Sequence, residues 1–282
     1  MKQKIIYIAG LGHSGSTILD LALGTNSSIV GLGEIYTILD KKRRDYHLGS
    51  LCSCGETGRD CSFWKEIPGI LDDPGTIEKR YDILLNHFQN TFGDDKALVD
   101  SSKNSYSYIR YLNENYDLKV IFLTRDIRSW IYSRFLLTGK PLLYLTMRWY
   151  LENRKLIHQL RRMQINFKKV GHEELSLYPE HILPAISDFI EIPYDPAMLQ
   201  PGNSNSHIIS GNIARVDPLK RNKFSYDARW LLSNRLTFIS PLLLFFMRWN
   251  RRYVYSNVSK GEIKEFYLFG KGRRDDLSRK FN

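Results

Sequence analysis

Continuous apolar runs alternate with amphipathic segments along the N-terminal part of the chain. Residues 5–9 form an unbroken apolar run, which is typical of a strand buried on both faces. Further strands are predicted at residues 97–99, 119–123 and 167–170. Buried strands that alternate with helices predict a parallel sheet with helices packed on both faces. The pattern therefore indicates an α/β fold, a three-layer sandwich with a central parallel sheet.

The segments between these runs carry helical periodicity or turn residues. Apolar residues through Leu19 and Leu23 predict a short helix that ends near Gly24. One apolar face from Leu145 to Met163 predicts a long helix. Further predictions are helices over residues 126–137 and 226–250, and polar loops over residues 46–61 and 201–222. We expect one domain over residues 1–282, with a helical, basic C-terminal extension from about residue 226.

A glycine-rich turn at residues 10–17 joins the first strand to the first helix. Backbone N–H groups and the helix dipole bind phosphate in such a turn. The spacing of Gly10 and Gly15 matches the start of the nucleoside-triphosphate loop, which continues with Lys and then Ser or Thr. Ser16 stands at the lysine position, so the point charge for the β- and γ-phosphates is missing. The turn therefore favours a smaller phosphate group, and the alternative is an ordinary strand-to-helix turn.

A second candidate anion site follows the predicted strand 119–123. Arg125 lies at the carboxyl end of that strand, where open parallel sheets bind ligands. Ser133 lies eight residues further on, two turns along the next helix. An arginine fork and a serine hydroxyl could together hold a second phosphate. The alternatives are a salt bridge from Arg125 to Asp126 or another acid, and a solvated helix face for Ser133.

Taken together, the two motifs resemble those of the sulfotransferase family. Residues 13–17, His-Ser-Gly-Ser-Thr, are similar to the family's 5′-phosphosulfate loop, although the family usually has Lys or Arg at the position of His13. Residues 125–133 look like its 3′-phosphate motif. The resemblance implies a P-loop-like fold, with 3′-phosphoadenosine 5′-phosphosulfate as the co-substrate. It also implies that the residues in contact with this nucleotide are Gly12, His13, Ser14, Gly15, Ser16, Thr17, Arg125, Ser133, His172 and Arg215.

Further stretches agree with the same family. Residues 33–34, Gly-Glu, resemble a pair in the carbohydrate and tyrosylprotein branches, whose glutamate is the proposed base. Lys103 follows the second predicted strand, where those branches place a catalytic lysine. His172 stands in the aromatic position of a Tyr-Glu-Asp-Leu signature, and Arg215 closes a Gly-Asn-x-x-Arg element of bacterial members. The Lys-Thr-His segment of the cytosolic small-molecule branch is not found. The resemblance thus implies a bacterial enzyme whose catalytic residues are Glu34, Lys103 and His13.

The chemistry of sulfuryl transfer fits these residues. In-line displacement through a loose transition state depends on positioning and on charge stabilisation. Glu34 is the expected base for the acceptor hydroxyl, with Lys103 and His13 near the bridging oxygen of the leaving nucleotide. The alternative roles are a helix N-terminal acid for Glu34 and a surface lysine for Lys103. A sulfuryl group carries less charge than a phosphoryl group, so no metal is expected.

Composition and charge limit the classes of molecule that the protein could bind. The formal net charge of +11, with a pI near 9.4, indicates an anionic partner. Cys52, Cys54 and Cys61 are odd in number and clustered, which favours a reducing compartment over a disulfide framework. With His47 they could bind zinc, but their spacing matches no standard finger, so loop thiols without a metal are favoured. The longest apolar stretch, residues 242–247, is too short to span a membrane.

We therefore expect a cytoplasmic enzyme that sulfates an acceptor hydroxyl. A carbohydrate or glycolipid is favoured, another alcohol or tyrosine stays open, and no nucleic-acid partner is expected. Residues 242–247, flanked by Arg248, Arg251 and Arg252, could contact a membrane surface, although packing on the core is more common for such a helix. Two other functions stay open: a P-loop nucleotide-dependent kinase, which the missing lysine disfavours, and a non-catalytic binder of anionic polymer.

Overall fold

The computed structural model describes residues 2–71, 75–103 and 106–260. The strands in these ranges are β1 (Lys4–Gly10), β2 (Ile29–Gly31), β3 (Ala97–Asp100), β4 (Asp117–Thr124) and β5 (Phe167–Gly171). The α-helices are α1 (Ser16–Leu23), α2 (Ile35–Leu39), α3 (Lys41–Leu48), α4 (Ile67–Ile70), α5 (Ile77–Phe92), α6 (Tyr106–Asn115), α7 (Ile127–Thr138), α8 (Leu142–Arg162), α9 (His172–Leu177), α10 (Pro179–Ile190), α11 (Pro218–Arg221), α12 (Asn234–Tyr253) and α13 (Ser256–Lys260). Short 3₁₀ turns lie at Trp64–Glu66, Pro196–Leu199, Pro201–Asn203, Ile213–Arg215 and Arg229–Leu232.

The described strands form one parallel sheet in the order β2-β3-β1-β4-β5. At the centre, Ile5 of β1 lies opposite Leu98 of β3 on one side and Leu118 of β4 on the other. Every pairing is parallel, so all the carboxyl ends lie at the same edge of the sheet. Helices supply the long crossovers that parallel pairing requires. The predicted parallel α/β sheet is therefore confirmed.

Alternate side chains of β1 pack against helices on opposite faces of the sheet. Tyr7 belongs to a buried cluster with Tyr81 of α5 and with residues of α6 and α8. Ile6 belongs to a second cluster with Leu19 of α1 and with residues of α10. The predicted three-layer sandwich is confirmed by these two cores.

The observed boundaries differ from the predicted ones in three places. Residues 29–31 form β2, which the sequence did not reveal because three residues are too few to show a period. The predicted loop at residues 46–61 begins inside α3, which the side chain of Asp40 caps. The C-terminal helix begins at Asn234 rather than near residue 226, because the Ser233 side chain caps it there.

Helix α12 is tied to the start of α7. Asn250 is fully buried; its Oδ1 accepts from the first backbone N–H of α7 (3.1 Å), and its Nδ2 donates to Asp126 Oδ2 (2.8 Å). On the same helix, Phe238 and Phe245 are 86% and 82% exposed. Among the described residues, no helix is both long and apolar enough to cross a membrane. Contact of residues 242–247 with a membrane surface stays an open alternative to packing on the core.

Candidate functional site

The residues expected to bind the donor and to catalyse transfer follow the carboxyl ends of the strands. Because all the strands are parallel, one edge of the sheet collects these residues, and ligands of open parallel sheets bind at that edge. In chain order, the phosphate loop follows β1, Glu34 follows β2, Lys103 follows β3, Arg125 follows β4 and His172 follows β5.

The phosphate loop at residues 10–17 is held by donors from β4 and α7. Trp130 Nε1 donates to the carbonyl oxygen of Gly12 (2.9 Å), and Arg125 Nη1 donates to that of His13 (3.1 Å). His13 and Gly15 have φ angles of 69° and 92°, so two left-handed residues turn the chain into α1. Because the carbonyl oxygens of Gly12 and His13 are hydrogen-bonded, they do not repel an anion strongly. An anion at this loop would instead interact with the positive end of the α1 dipole. The buried polar side chains of the loop belong to Ser14, Ser16 and Thr17.

His172 packs against the phosphate loop from the end of β5. Its ring is buried, and a Cβ added at Gly15 would lie 2.4 Å from its Nδ1, so only glycine fits there. Burial, together with the charge of Arg125, lowers the pKa of His172 to about 3, so the ring is neutral at pH 7. Within the described part of the chain, Nδ1 has no hydrogen-bond partner. A buried nitrogen without a partner beside this loop fits a contact with a bound nucleotide.

Glu34 and Lys103 form an ion pair between Oε1 and Nζ. The two residues follow neighbouring strands, so the sheet brings together side chains that are far apart in sequence. Their side chains are 20% and 18% exposed. Glu34 is the N-cap residue of α2, yet its side chain makes no capping hydrogen bond. The side chain of Glu34 is therefore turned to the site, and Lys103 is not an unpaired surface lysine.

Buried carboxyl groups fix the turns that carry this ion pair. Asp20 of α1 accepts from the backbone N–H of Gly33 (3.2 Å), and burial raises the pKa of Asp20. Asp100, at the end of β3, accepts from the backbone N–H of Ser102 (2.9 Å) and from the Tyr108 hydroxyl (2.7 Å). Burial raises the pKa of Asp100 to about 6. These two acids hold the turns that carry Glu34 and Lys103, and no motif in the sequence identified them.

The ring of His13 lies among the charged groups of the site. Burial lowers its pKa to about 4, and the charges of Arg134, Lys103 and Arg125 act in the same direction, against that of Glu34. The imidazole is therefore neutral near pH 7. A neutral ring can donate a hydrogen bond, but it carries no positive charge.

Arg125 is buried and already has acidic and hydroxyl partners. Its Nη2 donates to Asp227 Oδ2 (2.6 Å), and its Nε donates to Ser129 Oγ (2.8 Å). The neighbouring acid Asp126 pairs with Arg128 instead. Arg125 therefore forms a salt bridge, as the alternative interpretation of this residue predicted, and its partner is Asp227. A phosphate at Arg125 would share this guanidinium with Asp227 or displace it.

Two predicted residues stand apart from this cluster. Ser133 is half-buried on α7 and forms no hydrogen bond with Arg125 in the described structure. Arg215 donates from Nε to the carbonyl oxygen of Leu51 (3.2 Å), so its guanidinium bonds to backbone oxygen. The contacts of both residues with a nucleotide stay predictions.

The charge of Arg134 acts on His13, and no motif in the sequence identified this residue. Its Nε is buried and has no hydrogen-bond partner among the described residues. Of the charges that act on the pKa of His13, that of Arg134 has the largest effect. Its position directly after the predicted 3′-phosphate motif, which ends at Ser133, was the signal that could have identified it.

A loop that follows α10 crosses the site. The backbone N–H of Asn212 donates to Thr17 Oγ1 (3.2 Å). A Cβ added at Gly211 would lie 3.0 Å from the same Oγ1 and 3.8 Å from Glu34 Oε1. This loop therefore lies against both the phosphate loop and Glu34.

Comparison with known proteins identifies the family of the chain. The sequence model of the sulfotransferase family matches residues 6–196. The chain belongs to the sulfotransferase family. It is a sulfotransferase enzyme, as the two motifs predicted. None of the curated proteins searched matches it significantly.

Among solved structures, this sulfotransferase is similar to the sulfotransferase domain of the olefin synthase from Synechococcus PCC 7002. The two share 18% identity with a TM-score of 0.50, over 84% of this chain and 96% of that one. Sulfotransferase STF1 from Mycobacterium tuberculosis H37Rv matches with 13% identity and a TM-score of 0.48, over 73% and 72% of the two chains. STF9 from Mycobacterium avium matches with 14% identity and a TM-score of 0.43, over 72% and 67%. The first of these supports the P-loop-like fold.

A buried carboxyl group next to His172 makes the stability of this sulfotransferase depend on pH. Glu173 accepts from the backbone N–H of Asp126 (2.9 Å). Burial, together with repulsion from the Asp126 charge, raises the pKa of Glu173 to about 8, from an ordinary value of 4.5. Between these values the folded protein holds a proton that the unfolded chain has lost. The contribution of Glu173 to stability therefore falls as the pH rises from about 5 to about 8.

Replacement of Glu173 by glutamine is expected to remove this loss of stability at higher pH, because an amide side chain does not ionise. Relative to wild type, the free energy of unfolding should rise by up to about 1.4 kcal/mol per pH unit between about pH 6.5 and pH 8. The low-pKa rings of His13 and His172 do not titrate in that window. Urea unfolding at several pH values tests this, with Glu180→Gln on the exposed surface as the control. A difference that does not change with pH would contradict the prediction.

Proposed function

We propose that this sulfotransferase takes its sulfuryl group from 3′-phosphoadenosine 5′-phosphosulfate. The acceptor is a hydroxyl group of a carbohydrate or glycolipid. The nucleotide product is then adenosine 3′,5′-bisphosphate.

The hydrogen bond from Arg125 to the carbonyl oxygen of His13 is the observation that carries this proposal. It joins two anion sites at the ends of the neighbouring strands β1 and β4. A nucleotide with phosphates at both its 5′ and 3′ positions needs two such sites side by side, whereas a nucleoside triphosphate needs one loop with a lysine. His172 Nδ1 and Arg134 Nε have no hydrogen-bond partner among the described residues, so both nitrogens are open to contact with such a ligand.

The chain's own residues account for each part of the transfer. The acceptor oxygen forms a bond to sulfur as the bond from sulfur to the 5′-phosphate oxygen breaks. Glu34 takes the proton of the acceptor hydroxyl. Lys103 stabilises the negative charge that grows on the departing phosphate oxygen. The ion pair with Lys103 holds the carboxylate of Glu34 in place.

A base at Glu34 suits the proposed acceptor class. An aliphatic hydroxyl is a very weak acid, so its proton must be taken up as the new bond forms. A tyrosine phenol, with a pKa of about 10, depends less on such a base. A screen of sugars, glycolipids, simple alcohols and a tyrosine peptide with labelled donor tests this choice, and transfer to the peptide alone would overturn it.

Adenosine 3′,5′-bisphosphate is expected to bind at least tenfold more tightly than AMP or ATP. A charged hydrogen bond to the 3′-phosphate contributes about 1.5–3 kcal/mol, and tenfold corresponds to about 1.4 kcal/mol. ATP lacks the 3′-phosphate and meets Ser16 where a triphosphate loop has lysine. Titration calorimetry with all three nucleotides, at one salt concentration, measures the difference.

Two results of the calorimetry would count against the donor. Equal affinities for AMP and the bisphosphate would mean that no 3′-phosphate site exists. Preference for ATP with magnesium would favour a nucleotide-dependent kinase chemistry.

A further inference from the structure

Three cysteines and a histidine from distant parts of the chain converge beside the site. The ligand atoms of Cys52, Cys54, Cys61 and His207 all lie within 4.8 Å of one another. All three cysteines are free thiols. They stand on one loop after α3, whereas His207 belongs to the segment that leads into the loop over the phosphate site. Four potential ligands from two segments have therefore been brought to a single point.

The separations suit a tetrahedral ion. The sulfurs of Cys54 and Cys61 are 3.7 Å apart, and His207 Nδ1 lies 3.1 Å from Cys61 Sγ. With zinc–sulfur bonds of about 2.3 Å, two sulfurs of a tetrahedral site stand about 3.8 Å apart. Small shifts of the side chains would bring all four atoms into bonding distance of one ion.

The cysteine loop is built like a ligand-bearing turn. The backbone N–H of Gly55, whose φ is 104°, donates to the carbonyl oxygen of Cys52 (3.0 Å). The N–H of Cys52 donates to the carbonyl oxygen of Glu56 (2.7 Å), and that of Cys61 to the carbonyl oxygen of Thr57 (2.8 Å). Cys52 and Cys61 are fully buried. The thiols are therefore presented by a tightly bonded turn, which holds them in place before an ion binds.

The histidine is fixed just as firmly. The backbone N–H of His207 donates to the carbonyl oxygen of Gly31 in β2 (2.7 Å), and its carbonyl oxygen accepts from Trp64 Nε1 (2.5 Å). The neighbouring Ile208 bonds to Ser53 in both directions, through its N–H to the serine hydroxyl (2.8 Å) and through its carbonyl oxygen to the serine N–H (3.0 Å). The two segments are thus packed side by side with their ligands facing each other.

We propose that Cys52, Cys54, Cys61 and His207 bind one structural zinc ion. Three thiolates and an imidazole form a closed four-ligand set, which is typical of structural zinc and leaves no position for a substrate. The ion ties the cysteine loop to the segment that continues through Gly211 and Asn212 over the phosphate loop. Neither Glu34 nor Lys103 is a ligand, so the chemistry of transfer does not use the metal.

Along the chain, His47 is the histidine nearest to the cysteines, and their spacing favours thiols without a metal. His47 is not part of the cluster, because it lies on α3, and the fourth position is occupied by His207. Nothing in the spacing along the chain identified His207, which follows Cys61 by more than a hundred residues. Only the packing of the two segments reveals the fourth ligand.

The test measures metal in the full chain, purified under reducing conditions without a metal-affinity tag. Mass spectrometry of the elements should find about one zinc per chain after passage over a chelating resin. Exchange for Co²⁺ should produce the intense visible bands of tetrahedral thiolate coordination. Neither measurement depends on the nucleotide donor, so failure of this proposal and failure of the proposed function are distinguishable.

Variants assign the ligands. Cys54→Ser, at an exposed position, and His207→Ala should each lower bound zinc by at least tenfold after the resin. His207→Cys restores a zinc ligand and should keep the zinc. His158→Ala, on the exposed face of α8, is the matched control and should retain the wild-type zinc content. Circular dichroism reports whether each variant is folded.

Several outcomes would overturn the proposal. One is zinc-free protein from cells grown with added zinc. Another is zinc that persists in folded Cys54→Ser and His207→Ala proteins. A third is a disulfide between Cys54 and Cys61, seen as two missing thiols when the denatured protein is titrated without reductant. Loss of zinc from His207→Cys together with retention in His207→Ala would exclude His207 as a ligand.

Discussion

Replacement of Glu34 by glutamine is expected to lower turnover by about 10²–10⁴-fold and to leave the affinity for adenosine 3′,5′-bisphosphate nearly unchanged. Positioned general bases contribute rate factors of this size. Glutamine keeps the shape of the side chain and removes its proton affinity. Glu34 contacts Lys103 rather than the phosphate loop, so donor binding should not depend on its charge.

The position of Glu34 makes the variant informative. Its side chain makes no capping hydrogen bond to α2, so the substitution removes no helix cap. The amide oxygen of glutamine can still accept from Lys103, which limits any movement of that lysine. A fall in turnover would therefore report the lost base rather than a displaced neighbour.

Turnover and nucleotide affinity must be measured on the same preparation. Glu114→Gln, an exposed substitution on α6, serves as the matched control and should behave as wild type. Unchanged turnover in Glu34→Gln would remove this residue from the mechanism and direct attention to His13. Loss of folded protein or of nucleotide binding would show that Glu34 is structural.

Replacement of Arg125 by alanine is expected to weaken binding of adenosine 3′,5′-bisphosphate at least tenfold and to change AMP binding little. The expected loss is that of a charged hydrogen bond, about 1.5–3 kcal/mol. AMP has no 3′-phosphate, so it forms no 3′-phosphate hydrogen bond that the substitution could remove. Asp227 keeps Arg229 as a partner through two contacts of 2.7 and 2.8 Å, so the variant leaves no unpaired buried acid.

Calorimetry with both nucleotides separates two roles of Arg125. Equal losses of affinity for AMP and the bisphosphate would mean that Arg125 supports binding of the 5′-phosphate. It would do so by holding the phosphate loop through its hydrogen bond to the carbonyl oxygen of His13. Arg125→Lys keeps the charge without the planar fork and should fall between alanine and wild type. Arg162→Ala removes the same charge from an exposed position and controls for net charge.

Local motifs were predictable because each depends on a short stretch of chain. The segment from Gly10 to Thr17 shows its own strand, turn and helix start, and Arg125 follows a strand with a clear apolar run. Both lie where the sequence analysis expected them. β2 escaped prediction because its three residues show no period, although Glu34 follows it directly.

Partners in space were not predictable, since they depend on which strands become neighbours. The pairing of β2 with β3 brings Glu34 to Lys103. The packing around α7 brings Asp227 to Arg125, in place of the adjacent Asp126. No spacing along the chain contains this information.

The sequence by itself determined the class of fold, the phosphate loop without its lysine, and the identity of the family. Each of these is encoded in periodicity or in a contiguous motif, where the interacting groups are neighbours along the chain. The tertiary structure alone decided that His13 and His172 are neutral, that Arg125 is paired with Asp227, and that His207 completes the cysteine cluster. Burial and charge proximity set these properties, and both arise only when distant segments pack together.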